Sequence, residues 1–232
     1  MRRTVVLGIF WSTLVAGTAA AQAGHAPEKS PYIDLLAKQS ASLIAGYLSG
    51  TRGKANVGPS HGPLAAVRYD HIIGTPMDIY VQLGFAHLNR FVVDPSKPPE
   101  TRTTGPVKQD LIMMETGLSL VLMGRKTWHG FSPYVGGGLG VAFETGLSAE
   151  PSLYEFSTKG VLIPYAGLKW FPVQALAIKV EGRDYFWKLS YPTSFYVPPA
   201  VGVPPVLTAV IPAREWTMHP TILASIGYTF QF

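Results

Sequence analysis

Seven ionisable residues in this 232-residue chain have the types and spacing to do chemistry together: Arg68, Asp70, Glu115, Lys169, Lys179, Glu181 and Arg183. Apolar residues hold the alternate positions around them. Ala65, Val67 and Tyr69 interleave with Arg68 and Asp70, and Leu176, Ile178 and Val180 alternate with Lys179, Glu181 and Arg183. Period-two alternation belongs to a strand whose successive side chains point to opposite faces. The charges therefore gather on one side of a sheet whose other side is apolar. Mixed signs on that side allow two chemistries: a fixed plug of salt bridges, or a gate in which carboxylates exchange partners and pass small ions. Buried charges are expensive unless paired and hydrogen-bonded, which favours the plug.

Hydrolytic chemistry would need a serine nucleophile, a histidine base and an orienting carboxylate. Ser60-His61 and His129 with Ser132 are the candidate pairs, and neither has a carboxylate at matching strand spacing. Adjacent residues of an extended segment point apart, so Ser60 and His61 do not meet if that segment is extended. No enzyme is expected. His25, His61, His71, His87, His129 and His219 are dispersed without a metal-ligand spacing, so no metal and no other cofactor is expected. His71, His87 and His219 read as polar residues near strand ends. The string Gly136-Gly-Gly-Leu-Gly140 lies inside a strand pattern and opens no helix, which separates it from a phosphate-cradling loop.

The elements that must position these residues are written in the composition and the two termini. Met1-Arg2-Arg3, the apolar run Thr4 to Ala16 and the small residues up to Ala23 form a Sec-type signal peptide, with cleavage after Ala21 or Ala23. Without Arg2 and Arg3 the formal charge falls from +5 to +3. The remaining charges are scattered, so no nucleic-acid partner is expected. Cysteine is absent, which removes disulfides, thiolate metal sites and cysteine nucleophiles together. Charged residues are only 14% of the chain, yet no segment after the signal reaches the ~18 consecutive apolar residues of a spanning helix.

The carboxy-terminal stretch Trp216 to Phe232 resolves that combination. Trp216, Met218, Ile222, Ile226, Tyr228, Phe230 and Phe232 fall on one face, while Thr217, Thr221, Ser225, Thr229 and Gln231 fall on the other. A strand tilted across ~30 Å of hydrocarbon takes roughly 9 to 11 residues, with lipid outside, a polar interior, and aromatic rings at both interfaces. Seven more alternating stretches precede it: 40–50, 63–73, 77–93, 110–124, 131–144, 159–171 and 175–189. Long connections at 51–62, 94–109, 145–158 and 190–213 alternate with tight turns near Gly74, Lys126 and Val173. Short turns and long loops assign sidedness, placing the turns and both termini in the periplasm. Glycines at 136, 138 and 140 on the inward face leave room for large side chains from opposite strands.

The glycine-rich Pro133 to Gly140, the charged Glu181-Gly-Arg-Asp-Tyr185 and the terminal phenylalanine, in an eight-strand layout behind a signal peptide, resemble the small OmpA-like outer-membrane barrel domains. Tyr228, Phe230 and Phe232 resemble the carboxy-terminal signal read by the barrel-assembly machinery. The resemblance implies an all-β, eight-stranded antiparallel up-and-down transmembrane β-barrel in the bacterial outer membrane, with 1–21 as signal, 22–39 as a short periplasmic leader and 40–232 as barrel. A monomer with a structural or surface-interaction role is the expected function, in contact with outer-membrane lipid and lipopolysaccharide. A small passive channel and a lipid A-modifying enzyme are the alternatives. The apolar, proline-rich loop 190–213 either folds over the barrel mouth or meets a surface partner.

Overall fold

The computed structural model describes residues 30–145, 154–208 and 210–231. The expected signal peptide and its expected cleavage after Ala21 or Ala23, the first part of the expected leader, and Phe232 lie outside the described residues. Ten strands follow in chain order: β1 Tyr32–Asp34, β2 Gln39–Leu48, β3 Gly62–Gly74, β4 Met77–Val93, β5 Thr103–Val121, β6 Lys126–Trp128, β7 Phe131–Thr145, β8 Lys159–Val173, β9 Leu176–Ser190 and β10 Arg214–Phe230. Eight of them close a ring in the order β2-β3-β4-β5-β7-β8-β9-β10, and β10 pairs back onto β2 from Thr221↔Leu48 to Phe230↔Gln39. Every pairing is antiparallel. Closure gives each strand two neighbours, so backbone N–H and C=O groups find partners within the wall and no edge is left open to lipid.

Side-chain alternation decides which surface is which. Leu43, Val67, Val81, Leu139 and Ile222 stand exposed on the outside, while their strand neighbours Ser42, Arg68, Gln82 and Leu223 are buried within. Exposed apolar residues on every strand of a closed ring form a belt that only lipid can cover. Trp128, Trp170 and Tyr228 edge it at the turn end, and Tyr47 and Trp216 edge it toward the long loops.

Three features differ from the alternation read in the sequence. Strand β5 begins at Thr103, seven residues before the expected Asp110, because the threonine-rich segment pairs with the end of β4 through Val93↔Thr103 and Val92↔Thr104 beyond a bulge. The leader around Tyr32 is extended: β1 pairs with β6 through Tyr32↔Trp128 and Asp34↔Lys126, turning the connection at Lys126 into a small sheet. The large side chains above the inward glycines come from the adjacent β8 and from β4, two strands away. A Cβ at Gly136 would stand 2.4 Å from the Tyr165 ring and one at Gly138 would stand 2.6 Å from the Tyr80 hydroxyl. Glycine is needed there because aromatic rings fill the bore.

The interior is layered. Toward the turns it holds the charged residues, and toward the long loops it becomes apolar. Leu48, Leu88, Leu111, Val161 and Trp187 from the strands pack with Val57, Phe156, Phe195 and Leu207 from the loops in one core.

Candidate functional site

All seven ionisable residues singled out in the sequence point inward, and contacts within strands and across the bore join six of them. Arg68 on β3 and Glu181 on β9 meet across the bore at 3.1 Å. Arg68 Nε also reaches Asp70 at 3.1 Å. The other carboxylate oxygen of Asp70 pairs with Lys179 and accepts from the Ser40 hydroxyl at 3.1 Å. Arg183 joins Glu115 at 2.6 Å and pairs with Glu181 as well, so Glu181 lies between two guanidinium groups. Its second oxygen accepts the Tyr134 hydroxyl at 2.7 Å. Above and beside the ion pairs, the Arg68 guanidinium lies 3.8 Å from the centre of the Tyr80 ring. Tyr80 and Tyr165 contact each other edge to face, with ring centres 5.6 Å apart.

Lys169 is the exception, standing apart from this chain of contacts. Its ammonium pairs with Asp78 at 2.5 Å, near the turn end. Asp78 was not singled out in the sequence, although it shares the inward alternation of Tyr80 and Gln82 on β4. Extending that alternation by two residues finds it. With Asp78 included, these ion pairs join four cations, Arg68, Lys169, Lys179 and Arg183, to four anions, Asp70, Asp78, Glu115 and Glu181, each with at least one partner. Each side chain is only a few per cent exposed. In such a setting an ion pair persists because both members are present and hydrogen-bonded.

The histidine and serine candidates fall elsewhere. Ser60 and His61 do meet, with Oγ and Nδ1 2.5 Å apart, because His61 adopts a left-handed conformation (φ 47°) and the segment is not extended. The Ser60 hydroxyl is fully buried and also lies 2.6 Å from the Gly50 carbonyl oxygen, so it is packed and is not presented to a substrate. His129 sits on the exposed turn with its ring against Trp128, whereas Ser132 is buried inside the barrel. His219, expected as a rim residue, is instead buried and stacked on Trp187 at 3.9 Å. Inward alternation on β10 puts it there. His87 faces out and pairs with Asp110 on the next strand. Among the described residues no group of three or more metal-ligating side chains comes together. Tyr228 and Phe230 stack on the outer wall with ring centres 6.2 Å apart, at the turn end of β10.

Loop 190–213 divides into a root and a tip. At the root, Phe195 and Leu207 are buried in the core, with a 3-10 turn at Thr193–Phe195 and a Leu207 N–H to Phe195 carbonyl bond of 2.8 Å. The Tyr191 phenol donates to Glu215, and burial together with that carboxylate pushes its pKa well above the usual tyrosine range. The tip is different. Val197 and Val201 are exposed among prolines, and Arg102 Nη2 donates to the Pro204 carbonyl at 3.1 Å.

No protein-family model matches the chain, and no curated protein matches it. Solved structures similar to it include Neisserial surface protein A, at 12% identity and a TM-score of 0.49 over 87% of this chain and 98% of that one. The outer membrane protein OprG from Pseudomonas aeruginosa is similar at 10% identity and a TM-score of 0.49, over 84% and 97% of the two chains. Ail, the attachment invasion locus protein of Yersinia pestis, in complex with the heparin analogue sucrose octasulfate, is similar at 13% identity and a TM-score of 0.40, over 84% and 99%. By its own strand order, its closed ring and its lipid-compatible wall, the chain has the architecture that its sequence resemblance implies, a small eight-stranded antiparallel membrane barrel.

Proposed function

We propose that this chain is a monomeric outer-membrane barrel of a Gram-negative-type bacterium, exported by its amino-terminal signal, that presents a surface-interaction loop on a sealed scaffold and has no catalytic activity. The observation that carries the reading is the division of loop 190–213. Its root is anchored in the core through Phe195 and Leu207, while Val197 and Val201 at its tip stay exposed. Exposed apolar surface on an anchored loop fits a contact made with something outside the molecule. The sealed bore supports the same reading over a channel. Arg68, Glu181 and Arg183 bridge the middle, and the apolar core closes the loop end. Water-filled pores need 16 or so strands, and eight leave a bore that side chains fill.

In this reading lipopolysaccharide surrounds the outer half, and Tyr228, Phe230 and Phe232 serve the assembly machinery during insertion. The test replaces Val197 and Val201 by serine, leaves the root intact, and compares adhesion of expressing cells to hydrophobic and host-derived surfaces. Adhesion falling to the level of cells lacking the protein supports the proposal; unchanged adhesion rejects it. Planar-bilayer recording on the purified protein addresses the sealed bore, and steady open currents would reject that part.

A further inference from the structure

Asp184 faces lipid. Its strand neighbours Arg183 and Tyr185 are buried in the bore, and the even-numbered positions of β9 form the outer wall. Proline stands on both sides of it. Pro220 of β10 is its cross-strand partner. On the other side the β8–β9 register pairs Leu162 with Phe186 and resumes at Tyr165 with Arg183, so Pro164 falls opposite Asp184 and outside the ladder. Proline has no N–H to give. The Asp184 Oδ1 is buried and has no hydrogen-bond partner among the described residues.

An ionisable side chain on the membrane side of a protein marks a site until shown otherwise. This one lines a groove of about 600 Å³ on the outer wall, with Pro164, Ala166, Gly182, Pro220 and Ile222 around it. A side chain added at Gly182 would meet nothing within 4 Å, so the groove floor is open to an occupant. Toward the loops on the same face stand Lys188 and Arg214, both exposed, with Trp216 paired to Lys188 across the strands. Tryptophan marks the interface between hydrocarbon and headgroups. Lys188 and Arg214 are therefore at phosphate level. Asp184 lies four residues deeper, about 13 Å along the strand, beside the first carbons of the acyl chains.

The order of these groups selects an occupant. Cations at the rim ask for phosphate. The Asp184 Oδ1 asks for a hydrogen-bond donor at the acyl junction, and a buried acceptor left without one is costly. Glycerophospholipids carry ester carbonyls at that depth, which only accept. A phosphorylated glucosamine lipid with amide-linked 3-hydroxyacyl chains carries N–H and O–H donors there. We infer that the β8–β10 face holds one lipid of this second class, with its phosphates on Lys188 and Arg214, an amide or hydroxyl donating to Asp184, and an acyl chain along the groove.

This rests on the membrane placement proposed above, and the experiment separates the two. The full-length mature protein is folded in detergent micelles, incubated with lipid A or with phosphatidylglycerol, and examined by native mass spectrometry. Wild type is expected to retain one lipid A. Asp184→Leu, which removes a polar group from the lipid face and should fold at least as well, is expected to retain it about tenfold less. Asp184→Asn, which keeps an acceptor, is expected to stay near wild type, and Lys188→Gln with Arg214→Gln to lose about as much as Asp184→Leu. Equal retention by wild type and Asp184→Leu, or phosphatidylglycerol held as tightly with the same dependence on Asp184, overturns the inference and leaves the barrel reading standing. A mature protein that stays folded and soluble without detergent overturns both.

Discussion

Arg68 and Glu181 are 113 residues apart in sequence and meet at 3.1 Å across the bore, each already engaged with a second oppositely charged partner. Because the two sit on β3 and β9, far apart around the ring, their contact ties two walls of the barrel together across the bore.

Glu181 should therefore be the most sensitive member of the network. Glu181→Ala leaves Arg68 with Asp70 alone, Arg183 with Glu115 alone and the Tyr134 hydroxyl without an acceptor. Breaking a buried pair from one side destabilises by roughly 3–5 kcal/mol. The expected result is a clear drop in the temperature at which the folded band converts to the unfolded one on a semi-native gel, together with leak current in planar bilayers. A variant with wild-type thermal behaviour would show that Glu181 does not hold the plug.

The pair formed by Lys169 and Asp78 gives a cleaner test, since it stands apart from the central chain of contacts. Asp78→Leu or Lys169→Met alone should destabilise by about 3–5 kcal/mol, whereas the two together should come close to wild type, because no charge is then left without its partner. Denaturant titration of the four proteins in micelles reads the coupling. Additive losses would contradict it.

Neighbouring glycines on β7 separate inside from outside. Gly136→Val drives a side chain into the Tyr165 ring, while at Gly137 an added Cβ meets nothing within 4 Å. Overpacking a filled interior costs about 1–3 kcal/mol. Gly136→Val should lower the folded fraction after refolding into micelles, and Gly137→Val should leave it unchanged. The reverse order would mean that β7 is registered the other way round.

At the loop root, Leu207→Ala should loosen the mouth without touching the charged network. Truncating a buried leucine costs about 2–5 kcal/mol. Here the loss is local, so protease cutting within residues 196–206 should speed up while the barrel remains resistant. Val201→Ser, at an exposed position, should leave the cutting rate as it is.

Much of this architecture is legible in the alternation of residue types. Arg68, Asp70, Glu181 and Arg183 fall on the inward face because Val67, Tyr69, Val180 and their like must meet lipid, and a period of two leaves them no other place. Pairing is not legible in the same way. That Lys169 meets Asp78 depends on which strands come together across the bore, and the spacing along one strand says nothing of it. Thr103 to Gln109 read as a loop because Gly105 and Pro106 are turn formers. The end of β4 recruits the segment all the same, since a strand that continues past the membrane needs a partner for its own backbone. Ser60 and His61 escaped for a local reason: one residue with φ at 47° reverses the rule that neighbours point apart. Asp184 was not singled out in the sequence, and the prolines that flank it in space lie on two other strands, where spacing along its own strand does not show them.

The ion pairs described in the bore join four positive and four negative groups. An electric field across the membrane does work on a net charge, about 2.3 kcal/mol per elementary charge for each 100 mV. A set that sums to zero offers it no handle as a body. A potential of either sign finds no net charge in these pairs to drive across the membrane.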